Sequence, residues 1–338
     1  MVARDGRNVQ RADDRGLLRG RDGRAPTPHP PADPPGGVGG RTRRAGQTDG
    51  VSRRQHYRDF YQGPPAGERP FAMVHGNCQA EALRVLLAGS ASFGWQMVRV
   101  PPVHELTEDD LVALDALLAR CTLLVTQPVR DGYRGLPLGT REMAERTGAT
   151  VVRVPIVRYS GLQPWSAIVR VPDGAEPPVV PYHDLRTLTG REPTAVDLVA
   201  VAQASVDELA RRERRDTDVA VSDLLLGLGA DAVHVLNHPG NGLLIGLARR
   251  IQEMLNRPAD AGDPGRELLG RIRAPLEPAV LDALGLDAPP REHWLVDGEP
   301  VAAGEVVAAH RAFYADRPDV AAAGLARHGS RLASLGLA

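Results

Sequence analysis

The chain has 338 residues, 42% of them hydrophobic and 25% charged, with a formal net charge of −1. That balance fits a folded globular protein and supplies no global field for nucleic acid. No apolar run approaches the roughly 18 residues of a membrane span, and two cysteines make neither a disulfide framework nor a four-thiolate zinc site. Arginine and aspartate interrupt the N-terminus where a secretory signal would carry its apolar stretch. A cytoplasmic protein with reduced thiols is expected. The basic residues are all arginine. GC-rich coding produces that bias without a functional cause, so arginine abundance is not taken as evidence of phosphate binding.

Residues 1–68 are rich in Pro, Gly and Arg and poor in large apolar residues, and read as a disordered extension. Within them "HYRDFYQGPP" (56–65) is the first aromatic cluster and is a candidate arm on the folded body. An α/β pattern then begins. Strands are expected at 71–75, 95–100, 122–128 and 150–155, and helices at 79–88, 107–120 and 138–148. Thr107 is a candidate N-cap with acidic residues behind it. Such alternation predicts a parallel sheet whose chemistry collects at the carboxyl ends of its strands. After about residue 160 comes a long Pro-rich stretch, then helices expected near 194–214, 216–228, 240–256, 264–272, 276–285, 301–315 and 318–335. The fold class is therefore α/β. A small parallel-sheet subdomain (69–160) is followed by a predominantly helical, loop-rich remainder (161–335), packed as one globular unit.

Four polar stretches stand at or beyond strand ends: Gly76-Asn77-Cys78-Gln79, Thr126-Gln127-Pro128, "RVPIVRYSGLQPW" (153–165) and "VHVLNHPGNGLL" (233–244). Gly76 permits a left-handed backbone at a tight turn. Cys78 then falls in the first turn of a helix, where free N–H groups and the dipole lower a thiol's pKa and accept an oxyanion. The side-chain amides of Asn77, Gln79 and Gln127 are candidate oxyanion donors. The alternative is a structural cysteine filling a βα corner. His238, in "NHPGN" beside Asn241, is the likeliest general base, against a turn-capping role. His75 sits in a strand and faces either side. His183 and Asp184 form a polar pair on the long loop, and His104 reads as solvated loop. Cys121 reads as core. Tyr159 and Trp165 line a pocket or anchor the loop. Walker and dinucleotide fingerprints, Gly-x-Ser-x-Gly and metal-ligand spacings are absent.

"HGNCQAEAL", "TQP", "RVPIVRYSGLQP" and "LNHPGNGLL", in this order, resemble the WcbI-type capsular polysaccharide biosynthesis family over about residues 70–255. The ordered set is far more specific than the short "GNCQ" alone. The resemblance implies a mainly helical fold with a small α/β subdomain, a loop-rich pocket for coenzyme A or acetyl-CoA, and acetyl transfer to a sugar or glycan hydroxyl; the absent metal-ligand spacings add the expectation of no metal. By motif position it points to Gly76, Asn77, Cys78, Gln79, Gln127, Tyr159, Gly161 and His238. Where the family often carries a His-Pro-Asp-like element, this chain has Gln163-Pro164-Trp165, with neither His nor Asp, so no acid/base role carries over to that element. Two other readings stand beside an acyltransferase. One is an SGNH-like esterase with Cys78 as nucleophile, weakened by the lack of an Asp two residues before His238. The other is a non-catalytic binder of phosphate or glycan.

Overall fold

The computed structural model describes residues 49–63 and 69–338. Strand β1 (Phe71–His75) is buried along its whole length, as a central parallel strand must be. Strands β2 (Gln96–Val98), β3 (Leu123–Thr126) and β4 (Thr150–Arg153) join it in one parallel sheet of order β2-β1-β3-β4. The chain leaves β1 to one side for β2 and returns to the other side for β3. That reversal opens a crevice at the carboxyl ends of β1 and β3.

The pleat divides the strands between two cores. Ala72, Val74, Leu123 and Val125 face one core together with helix α3 (Cys78–Gly89). Phe71, Met73 and Leu124 face the other. Helix α3 buries Leu83, Leu86 and Leu87 at helical spacing, each contributing about 1.5–3 kcal/mol. On the second face lie α4 (Leu111–Leu118) and α5 (Thr140–Glu145). A single 3-10 turn, Glu108–Asp110, precedes α4. There the Asp110 carboxylate accepts from the Thr107 N–H at 2.9 Å.

The disordered reading of residues 1–68 is corrected for 49–63, which form α1 (Asp49–His56) and α2 (Arg58–Gln62). Tyr57 and Phe60 enter the second core, and Arg53 pairs with the buried Asp110 at 2.9 Å. These contacts outweigh the low apolar content of the flanking sequence. The rest of that segment, and the end of the "HYRDFYQGPP" arm, lie outside the described residues.

The remainder is helical and loop-rich, and it shares the first core. Its strands are short: β5 (Ser166–Ala167) pairs with β6 (His183–Asp184), and β7 (Val233–Val235) with β8 (His238–Pro239). Helices α6 (Leu185–Thr189), α7 (Leu198–Asp216), α8 (Asn241–Met254), α9 (Pro278–Leu284), α10 (Ala303–Asp316) and α11 (Pro318–Ser334) complete it. Three differences from the sequence reading stand out. The stretch 216–228 is not a continuous helix: only Ser222–Leu224 makes a 3-10 turn, because the buried Glu213 carboxylate takes the Val221 and Ser222 N–H groups away from a helical ladder. The stretch 264–272 is not a helix: it is loop to residue 271, with positive φ at Gly265 and Leu269, and enters a strand at Ile272. An antiparallel sheet, β9 (Ile272–Arg273), β10 (His293–Val296) and β11 (Glu299–Ala302), was not anticipated.

Among the described residues no helix is long and apolar enough to cross a membrane.

Candidate active site

The loops after β1 and β3 meet at the crevice. Asn77 caps α3, its Oδ1 accepting from the Gln79 N–H at 2.9 Å. Cys78 is thereby fixed at the first helical position. Gly76 is required for closeness rather than handedness. Its φ is not positive, and a Cβ there would lie 2.2 Å from Gln127 Oε1. That oxygen accepts the Asn77 N–H at 2.9 Å.

Gln79 and Gln127 lie behind this corner, 3% and 2% exposed, and their amides are fully engaged within the protein. Gln79 Nε2 donates to the carbonyls of Val157 and Asn237, both at 2.8 Å. Its Oε1 accepts from the Val157 N–H and from Gln127 Nε2. Gln127 Nε2 also reaches the Pro155 carbonyl. The expected oxyanion role therefore does not match the geometry of the Gln79 and Gln127 side chains, while Asn77 uses only its Oδ1 in capping the helix. The two glutamines tie four sequence-distant loops together, and one of those ties holds the residue before His238.

His238 is 160 residues from Cys78, yet its Nε2 lies 3.6 Å from Sγ. The Tyr182 hydroxyl, which donates to Asn237 Oδ1 at 3.0 Å, is 3.5 Å from the same nitrogen. Its ring meets the imidazole edge to face. His238 Nδ1 is buried without a hydrogen-bond partner, while Nε2 faces the Cys78 thiol and the Tyr182 hydroxyl. With Nε2 accepting from the Cys78 thiol, the proton is placed on Nδ1, a tautomer assigned from the contacts of Nε2. No carboxylate among the described residues hydrogen-bonds this histidine.

Burial sets the protonation of the pair. It lowers His238 to about 4, with nearby His234 adding to the effect. It also raises Cys78, against the pull of the Cys78 and Gln79 N–H groups. The helix-terminus effect expected from sequence is present but outweighed, because desolvation acts on the thiolate from every side. The resting pair is thus a neutral thiol beside a neutral imidazole. His234 Nε2 lies 3.0 Å from Glu267 Oε1 outside hydrogen-bond alignment, and burial lowers its pKa too.

The remaining candidates fall elsewhere. His75 faces the opposite core, its Nε2 3.0 Å from the Leu138 carbonyl, and burial lowers it to about 4. Tyr159 packs into the first core, and Gly161 is needed because a Cβ would strike the Tyr159 hydroxyl. Asn241 uses both ends of its amide to hold the 266–268 loop. His183 bonds Tyr314, Asp184 caps α6, and His104 is exposed. Cys121 is core, its thiol against the Leu123 carbonyl.

A cavity of about 600 Å³ begins at Leu236, two residues before His238. Its lining includes five guanidiniums, Arg158, Arg170, Arg212, Arg327 and Arg331, against the carboxylates of Asp197 and Glu208. Arg158 and Arg212 each keep a buried Nε with no hydrogen-bond partner. Burial, reinforced by Arg212, Arg170 and Arg327, depresses the Arg158 pKa. Arg212 nevertheless faces the Glu208 carboxylate, its Nε 3.5 Å from Oε1, whereas Arg158 has no carboxylate partner among the described residues; a buried cation left so is costly, and an anionic group in the cavity would relieve it. Sequence reading set these arginines aside, since none differs in type from the many on the surface. Tyr182 was missed for a similar reason: only its contacts distinguish it. Among the described residues no cluster of three or more His, Cys, Asp or Glu is arranged to hold a metal.

Comparison with known proteins adds a family to this geometry. Residues 71–260 match the family model described as polysaccharide biosynthesis enzyme WcbI. A solved structure of WcbI, described as a novel polysaccharide biosynthesis enzyme, shares the fold with a TM-score of 0.66. The match covers 79% of this chain and 98% of that one, at 21% identity. That structure is of the native protein without a disulfide bond between coenzyme A and one of its cysteines. No curated protein matches the chain.

Proposed function

Because this chain belongs to the WcbI family of polysaccharide biosynthesis enzymes, we propose that it is an acyltransferase. In this reading an acyl group, acetyl in the simplest case, passes from a coenzyme A thioester through Cys78 to a hydroxyl of a sugar or glycan. The observation that carries the reading is the Cys78–His238 pair at 3.6 Å, next to an arginine-rich cavity in which Arg158 has no carboxylate partner among the described residues. The relative's description, which mentions a disulfide between coenzyme A and a cysteine, supports the same ligand.

As Sγ bonds to the acyl carbonyl carbon, His238 Nε2 takes the thiol proton. The carbon–sulfur bond to coenzyme A breaks, and the departing sulfur collects that proton from Nε2. The acceptor hydroxyl then attacks the Cys78 thioester, giving its proton to Nε2. The Cys78 carbon–sulfur bond breaks and Sγ regains a proton. A neutral imidazole near pH 7 is what this cycle needs. The Cys78 N–H, at the first helical position and turned toward its own sulfur, is the group assigned to the acyl oxygen. Arg158 and Arg212 would hold the phosphates of the donor.

Calorimetric titration of the full chain with coenzyme A tests the donor. Micromolar binding is expected, weakened at least about tenfold in the double variant Arg158→Ala/Arg212→Ala. Incubation with acetyl-CoA, followed by mass spectrometry, should place one acetyl group on Cys78. No binding at millimolar coenzyme A would overturn the assignment. Hydrolysis of aryl acetates without coenzyme A would then favour an esterase.

A further inference from the structure

A second cavity, of about 190 Å³, reaches the pair through Tyr182. The segment 158–170 lies between the two: Arg158, Ser160, Ile168 and Arg170 line the first, and Leu162, Gln163, Trp165 and Ser166 line the second. Tyr182 belongs to the second wall, and its hydroxyl is the group 3.5 Å from His238 Nε2. One cavity thus comes near the cysteine–histidine pair at Leu236 and the other at Tyr182.

The second cavity has a different chemistry. Its guanidiniums are committed: Arg186 pairs with Asp184 and Glu277, and Arg291 donates to the Ala274 carbonyl. With Glu292 also in the lining, charge is close to balanced, so a neutral guest is favoured over an anion. Trp165 and Trp294 give it flat apolar walls, with Tyr182 stacked on Trp294. Within it Gln163 is 5% exposed, yet neither Nε2 nor Oε1 has a partner. An amide left unsatisfied at that depth is costly, and a guest presenting both hydroxyl donors and acceptors answers it.

We propose that this cavity is the acceptor subsite and takes one hydroxyl-rich ring, a single monosaccharide unit. Its faces lie against the tryptophans and its hydroxyls on Gln163. Tyr182 then stands between the bound ring and His238, within reach of the hydroxyl to be acylated. The word acceptor rests on the transferase reading above. The carbohydrate site itself does not, so the test measures binding with no acyl donor present.

Saturation-transfer NMR on the full chain would use the methyl glycosides of glucose, galactose and mannose as probes, each at tens of millimolar. Transfer to the ring protons of at least one is expected. Gln163→Leu, which removes an unpaired amide and should melt no lower than the parent, is expected to weaken it at least about tenfold. Val307→Phe, filling the cavity from α10, should do the same. Coenzyme A binding should change less than about twofold in both variants. Glycoside binding in a protein that takes no coenzyme A would keep the subsite and remove only the donor assignment. No transfer from any of the three glycosides, or transfer unchanged in both variants, would overturn the proposal.

Discussion

Replacing Gln79 by leucine removes four hydrogen bonds at nearly constant volume. The Val157 N–H loses its acceptor, at about 1–3 kcal/mol for a buried donor. The carbonyls of Val157 and Asn237 each lose a short bond. Carbonyls tolerate this better, at about 0.5–1 kcal/mol each. Gln127 keeps its Pro155 bond. Burying leucine in place of an amide returns about 1 kcal/mol. The net loss is about 1–4 kcal/mol, or a fall in melting temperature of roughly 2–10 °C for a folded body of this size. The Asn237 carbonyl is the tie next to His238, so the Cys78–His238 distance should loosen. We expect kcat/KM to fall on the order of 10²-fold, since proton transfer tolerates little misplacement. Gln79→Glu should be worse near neutral pH, because a carboxylate would face two carbonyls. Acid that protonates it should narrow the gap. Differential scanning calorimetry with acetyl-transfer kinetics reads both effects. A Gln79→Leu protein that melts with the parent, or that keeps full activity, would refute the idea that this amide positions the site.

Three further outcomes follow from the same geometry. Iodoacetamide should modify Cys78 slowly at neutral pH, with a midpoint above that of an ordinary thiol, because burial raises its pKa; a midpoint near about 6 would mean a resting thiolate–imidazolium pair instead. Gly76→Ala should displace the Gln127 amide, since its Cβ would overlap Oε1, and destabilise by about 2–4 kcal/mol, whereas Gly148→Ala, with nothing near its Cβ, serves as the control in the same urea titration. His75, held at about 4 in the folded protein, stays neutral while the unfolded chain takes up a proton below about 6.5; its contribution is therefore fully present above about pH 6.5 and is lost as pH falls toward 4, at about 1.4 kcal/mol per unit. Urea midpoints for the parent and His75→Gln should converge toward pH 4, and a parallel offset at all pH values would contradict that titration.

The local order of the site was legible in the sequence because short-range rules govern it. The run "FAMVH" into "GNCQ" fixes a buried strand, an asparagine N-cap and a cysteine at the first helical position, all within eight residues. The alternating strands to residue 153 and the helix after "NHPGN" follow from period and punctuation in the same way. The ordered motifs likewise led to the family that residues 71–260 confirm. The tertiary structure alone decided what depends on burial and on distant partners. Gln79 and Gln127 read as ligand amides until their bonding atoms proved to be engaged by Val157, Asn237, Asn77 and Pro155. The Cys78 thiol read as activated by its helix, but desolvation outweighs a helix terminus, and desolvation is a property of everything packed around the sulfur. The five arginines of the larger cavity, Tyr182 beside His238 and the unpaired amide of Gln163 lie tens of residues from Cys78 along the chain. Nothing in their local sequence records which neighbours the fold brings to them, because that depends on how sheet, loops and helices pack into one body.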